Sequence, residues 1–147
     1  MTVASALSQE ILNPYLAIEG QHRLQGMLKV SGAKNSALVL MTASLLTEEL
    51  VELINVPNLT DIDSMGRILS ALGVHVDHSG DSIALSAATL SSHEPPYELV
   101  NSLRASFFCI GSLLGRSGHA RVPLPGGCRI GARPVVEHIR GLKALGA

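Results

Sequence analysis

The run Pro125-Gly126-Gly127-Cys128-Arg129-Ile130-Gly131-Ala132-Arg133-Pro134 gathers the groups in this chain best suited to chemistry. Two glycines precede a thiol; lacking a Cβ, they let the backbone turn sharply and approach a ligand closely. Arg129 and Arg133 set fixed positive charge near Cys128, which favours the thiolate, the reactive form. Their forked guanidinium donors also match the oxygens of phosphate or carboxylate groups. A thiol, a turning loop and two anion-seeking side chains predict chemistry on an anionic substrate. The second cysteine, Cys109, lies between Phe108 and Ile110 in a helical pattern and reads as a small buried hydrophobe.

The rest of the chain must position that loop. Its 147 residues are 46% hydrophobic and 16% charged, with 3% aromatic residues and no Trp. Leu, Ala, Val and Ile therefore supply the core, which suits helices packed on sheets in an α/β fold. A formal net charge of -1 and the lack of any basic run give no electrostatic case for nucleic acid or an acidic membrane surface. Two cysteines are too few for a disulfide framework and fit a reduced setting. The six histidines are scattered without ligand spacing, so a structural zinc site is not expected, and nothing in the chain calls for a metal or organic cofactor. Residues 1–14 lack the basic start and apolar core of a signal peptide. No segment approaches the roughly 18 consecutive apolar residues that span a bilayer. The expectation is a soluble, cytoplasmic protein.

Residues 1–14 read as an N-terminal extension. Tyr15–Ile18 and Met27–Val30, separated by Gly20-Gln21-His22-Arg23, predict two strands of a hairpin. After the Ser31-Gly32 break, Lys34–Leu46 predicts a helix, with Ala37, Leu38, Met41 and Leu45 at helical spacing. Val51–Val56 predicts a strand closed by Pro57. Asp61 or Asp63 is the expected cap of the next helix, whose buried stripe is Ile62, Met65, Ile68, Leu69 and Leu72 and whose stop is Gly73. Val74–Val76 and Ile83–Leu85 flank Ser79-Gly80-Asp81 as a second hairpin. One helix is expected from about Tyr97 to Leu114 through Leu99, Leu103, Phe107 and Ile110, then a strand at Ala120–Leu124. Val135–Leu145 closes the series as a helix. Ile68-Leu69-Ser70-Ala71-Leu72-Gly73-Val74 is echoed by Gly141-Leu142-Lys143-Ala144-Leu145-Gly146-Ala147, which predicts a repeated unit. A strand is due where the second copy ends, so a truncated protein is expected.

Three separated motifs then coincide: Ser31-Gly32-Ala33-Lys34-Asn35, Leu103-Arg104-Ala105-Ser106, and Pro125-Gly126-Gly127-Cys128 running on to Gly131-Ala132-Arg133-Pro134. In order and spacing they resemble the N-terminal part of the UDP-N-acetylglucosamine 1-carboxyvinyltransferases, as does the run from Asn55 to Asp63. The resemblance covers Tyr15 to Ala147. It implies passage of enolpyruvyl from phosphoenolpyruvate to the 3-hydroxyl of UDP-N-acetylglucosamine, with release of phosphate, at the start of peptidoglycan synthesis. It implies an inside-out α/β barrel of repeated units with mixed sheets, present here only in part. Residues 15–33 are then strands that pack with a second, mostly missing domain, and residues 34–147 a partial first domain. The remainder of its own chain becomes a partner.

Carried over residue by residue, the resemblance gives Lys34 and Asn35 to phosphoenolpyruvate and Arg104 to the sugar nucleotide. It gives Arg133, Pro134 and Val135 to phosphate and nucleotide. Cys128 becomes the proton donor and the target of fosfomycin. A lysine and an amide at a helix N-terminus suit an anion, because unpaired N–H groups point the same way. After Arg133-Pro134-Val135 the family pattern is Asp-Leu-His, where this chain has Val136-Glu137-His138. Val136 cannot accept a hydrogen bond, and Glu137 is the neighbouring acid. The related shikimate-pathway transferase, which has a serine-rich stretch after its lysine, and a non-catalytic fragment or paralogue are the alternative readings.

Overall fold

The computed structural model describes residues 16–21, 23–124 and 135–147. Three strands, β1 (Leu50–Leu53), β2 (His75–Ser79) and β3 (Ser82–Ser86), form an antiparallel sheet in the order β1-β3-β2. Gly80 at φ 62° makes the tight turn from β2 to β3, as the Ser-Gly-Asp signal predicts. Strand alternation turns Val51, Leu53, Val76, His78, Ile83 and Leu85 to one face, and Ile83 and Leu85 are buried there. His78 is the polar member of that set. Its Nδ1 lies 3.5 Å from Asp63, while its buried Nε2 has no hydrogen-bond partner among the described residues.

Helices α1 (Lys34–Ala43) and α2 (Thr60–Ala71) pack on each other and on the sheet. Ala37, Leu38 and Met41 from α1, with Leu45 from the 3-10 turn Ser44–Leu46, meet Ile62, Met65, Ile68, Leu69 and Leu72. All nine positions were legible from helical spacing. Each fully buried Leu, Ile or Met contributes about 1.5–3 kcal/mol, so this seam is the main source of cohesion. The repeated Leu-Gly ending also has a shared geometry. Leu72 and Leu145 end their helices, and Gly73 and Gly146 follow at φ 104° and 99°. Val74 N–H donates to Leu69 O at 3.0 Å, and Ala147 N–H to Leu142 O at 3.1 Å. Both are six-to-one helix stops that need a left-handed residue.

Four expectations are corrected. The described residues between 16 and 33 form no β ladder, and Leu16, Ile18, Met27, Leu28 and Val30 are exposed. A two-stranded hairpin with no apolar face to pack on is marginal in water. Neither Asp61 nor Asp63 caps α2: the cap position is Leu59, and both acids sit inside the first turn, where they favour the positive end of the helix dipole. The expected long helix breaks at Leu103, which is extended at φ -133° and ψ 109°. It becomes α3 (Tyr97–Ser102), a 3-10 segment (Arg104–Phe108) and α4 (Cys109–Ser117). Ser102 Oγ donates to Leu99 O at 2.7 Å and Ser106 Oγ to Leu103 O at 2.5 Å, so hydroxyls take up carbonyls around the break. Finally, Ala120–Leu124 forms no strand; its Arg121 N–H bonds His93 O at 3.1 Å, and Pro123 has no N–H to give a ladder.

The last helix, α5 (Val136–Ala144), follows the expected bounds closely, and none of its residues is buried.

Candidate functional site

The break at Leu103 has a consequence for chemistry. It places Arg104 at the first position of a fresh helical segment, beside the start of α1. There the two segments and α5 enclose a cleft of about 580 Å³. Lys34 and Asn35 line one side, Arg104 and Phe107 another, and Val135 and His138 a third. His138 stacks edge-on against Phe107 at 5.8 Å between ring centres. Four residues from three separate stretches of the chain, Lys34 and Asn35, Arg104, and Val135, thus meet in one concave space.

The start of α1 has features that suit an anion. Its cap residue is Ala33, no side chain caps it, and no acidic residue occupies its first turn. The leading N–H groups and the positive end of the dipole face the same end as Lys34. Gly32 holds this end close to the chain beyond β1. A Cβ on Gly32 would run into the carbonyl oxygen of Asn55, itself a left-handed residue at φ 57°.

Asp61 also reaches the cleft, from the first turn of α2. Its Oδ2 lies 2.5 Å from Lys34 Nζ, and both side chains are part-exposed, 37% and 42%. The sequence reading gave Asp61 a capping role and so missed this pair. The available signal was a lysine at the positive end of its own helix, a place where a cation needs a nearby carboxylate. Arg104 is half-buried at the edge of the cleft.

The remaining expected site residues divide in two. Cys128, Arg129, Arg133 and Pro134 lie outside the described residues. Val136, at the position of the family acid, is 61% exposed, and Glu137 is committed to Arg140 at 2.6 Å, one turn along α5. Cys109 is fully buried, and burial pushes its thiol up to about 12, so it is not a nucleophile.

Comparison with known proteins gives the chain its family. The chain is 88% identical over its whole length to the UDP-N-acetylglucosamine 1-carboxyvinyltransferase of Parasynechococcus marenigrum (strain WH8102). It is 71% identical to the protein of that name from Synechococcus sp. (strain CC9605). It spans 34% of the length of each. Among solved structures, the enolpyruvyl transferase NikO from Streptomyces tendae matches 70% of this chain and 24% of its own, at a TM-score of 0.61 and 28% identity. The open sheet and paired helices are accordingly part of an enolpyruvyl transferase fold. With residues 18–147 matching its model, the chain belongs to the EPSP synthase (3-phosphoshikimate 1-carboxyvinyltransferase) family.

Proposed function

We propose that this chain supplies one wall of the active site of a UDP-N-acetylglucosamine enolpyruvyl transferase. The observation that carries the reading is the convergence of Lys34, Asn35, Arg104 and Val135 on one cleft at an uncapped helix start. The identity to relatives named UDP-N-acetylglucosamine 1-carboxyvinyltransferase supports the sugar nucleotide over shikimate 3-phosphate.

In the reaction, the 3-hydroxyl of UDP-N-acetylglucosamine gives up its proton to a base from the remainder of the protein as its oxygen bonds to C2 of phosphoenolpyruvate, and a proton is delivered to the methylene carbon. The tetrahedral adduct then expels phosphate and loses a proton from the new methyl group. Lys34, the α1 N–H groups and Arg133 stabilise the phosphate charge through both steps, in a site where fixed dipoles outperform water. Asn35 helps orient phosphoenolpyruvate, and Arg104, Pro134 and Val135 serve the nucleotide. Cys128 is the proton donor to the methylene. No metal or organic cofactor has a step in this scheme. Residues 15–33, whose described apolar side chains are exposed, pack in this reading against a second domain of the complete protein. A cytoplasmic place in peptidoglycan synthesis, and through it in cell shape and division, follows from the substrates.

The test joins this chain to the remaining two thirds of the Parasynechococcus marenigrum relative. Phosphate release from phosphoenolpyruvate is measured with either acceptor. Turnover with UDP-N-acetylglucosamine and none with shikimate 3-phosphate is expected, and the reverse preference overturns the reading. Lys34→Ala should lower turnover by about ten- to hundredfold, the value of one charge-assisted bond to phosphate.

A further inference from the structure

We infer that Asp61 is a positioning residue of this transfer site, holding the Lys34 ammonium where the phosphate of phosphoenolpyruvate must meet it; this rests on the function proposed above. The two residues are 27 apart in sequence and belong to different helices, yet Nζ and Oδ2 are 2.5 Å apart. Lysine is a flexible point charge on a four-carbon stem, with nothing in its own geometry to fix a direction. A second charged group has to do so. Asp61 is well mounted for it, because the next residue, Ile62, is 1% exposed and locks the start of α2 into the α1 seam.

Electrostatics point the same way. Lys34 stands at the positive end of α1, where a cation is disfavoured, while Asp61 stands at the positive end of α2, where a carboxylate is favoured. The carboxylate therefore draws the ammonium across the gap between the two helix starts. It is not engaged at home: Asp61 makes no capping bond to α2. Asp63, two residues on, lies beside His78 instead and does not line this cleft.

A positioning role separates binding from turnover. Replacing Asp61 by Asn removes a negative charge from an anion site, so attraction for phosphoenolpyruvate is kept or increased. The ammonium loses its direction, so stabilisation of the departing phosphate falls. The chimaeric full-length transferase described above is the test material, with Asp61→Asn, Asp61→Glu, Asp63→Asn and Lys34→Ala compared by kcat and KM for phosphoenolpyruvate. In Asp61→Asn, kcat should fall by at least about tenfold with KM unchanged or lower, the signature of an interaction realised in the transition state. Asp61→Glu should recover most of kcat, and Asp63→Asn should match the parent. In the Lys34→Ala background, Asp61→Asn should add less than about a twofold further loss, because its effect runs through Lys34. Thermal melting reports folding; should Asp61→Asn not fold, Asp61→Ser is read by the same criteria. A parental kcat in Asp61→Asn beside an impaired Lys34→Ala overturns the inference and leaves the function standing. Equal losses in both backgrounds also overturn it. A parental Lys34→Ala overturns the phosphate role given to Lys34 and this inference with it, while the acceptor preference still decides the function.

Discussion

Gly32→Ala should damage the site through one added methyl group that touches no substrate. A Cβ at this position overlaps the Asn55 carbonyl oxygen, which is backbone and cannot rotate away. Asn55 has little room to yield. It sits in the left-handed region at φ 57°, and the next residue, Val56, donates its N–H to Asp81 O at 2.8 Å, tying the segment to the β2–β3 turn. Relief must come from the other side, by moving the start of α1. Restoring ordinary contact needs a shift of about 1.5 Å, and a misplacement of even about 1 Å costs on the order of 100-fold in rate when it reaches a catalytic group. Lys34 and Asn35 are two and three residues away, on the same helical turn. Overpacking of this kind also costs about 1–3 kcal/mol of stability. The assay is phosphate release by the chimaeric full-length transferase, with thermal melting alongside. Activity within about twofold of the parent and an unchanged melting point would refute the reasoning, since one of the two must absorb the overlap.

The other predictions use the same structure. Gly111→Ala, in α4 with nothing within 4 Å of the added Cβ and no positive φ, should raise stability by about 0.5–1 kcal/mol without altering turnover, as thermal melting and the phosphate assay will read. Cys109, with its thiol raised from 9.0 to about 12 by burial, should react with iodoacetamide at pH 8 about a thousandfold more slowly than the same peptide in urea. Because the folded thiol holds its proton longer than the unfolded one, its contribution is complete below pH 9 and is lost as pH rises through 9 to 12; Cys109→Ala should flatten that part of the stability curve. In the chimaera, fosfomycin should alkylate Cys128 and spare Cys109, with peptide mass mapping as the readout.

Much of the fold was legible because its core obeys single-helix periodicity. The stripe from Ile62 to Leu72 and the set from Ala37 to Leu45 were readable, since each helix buries one face against the other. The two Leu-Gly stops were readable for a local reason: a left-handed residue is needed, and glycine meets the need. What failed to read depended on partners. The apolar alternation in residues 16–30 looks like strands, but alternation says nothing about whether a neighbouring strand is present. The break at Leu103 hides within a good helical pattern, because the apolar spacing runs straight through it and the Ser106 hydroxyl that takes up the Leu103 carbonyl leaves no mark on that spacing. The site was legible as a set of motifs. Its internal pairing was not, because Asp61 at a helix start satisfies the rule for a cap as readily as the rule for a counter-ion.

The most direct test of the account is a crystal structure of the chimaeric transferase with phosphoenolpyruvate and UDP-N-acetylglucosamine bound. The account predicts phosphate oxygens within about 3 Å of Lys34 Nζ and of the leading N–H groups of α1, with Arg104 turned to the sugar nucleotide. A phosphate bound away from the start of α1, with Lys34 facing solvent, would contradict it.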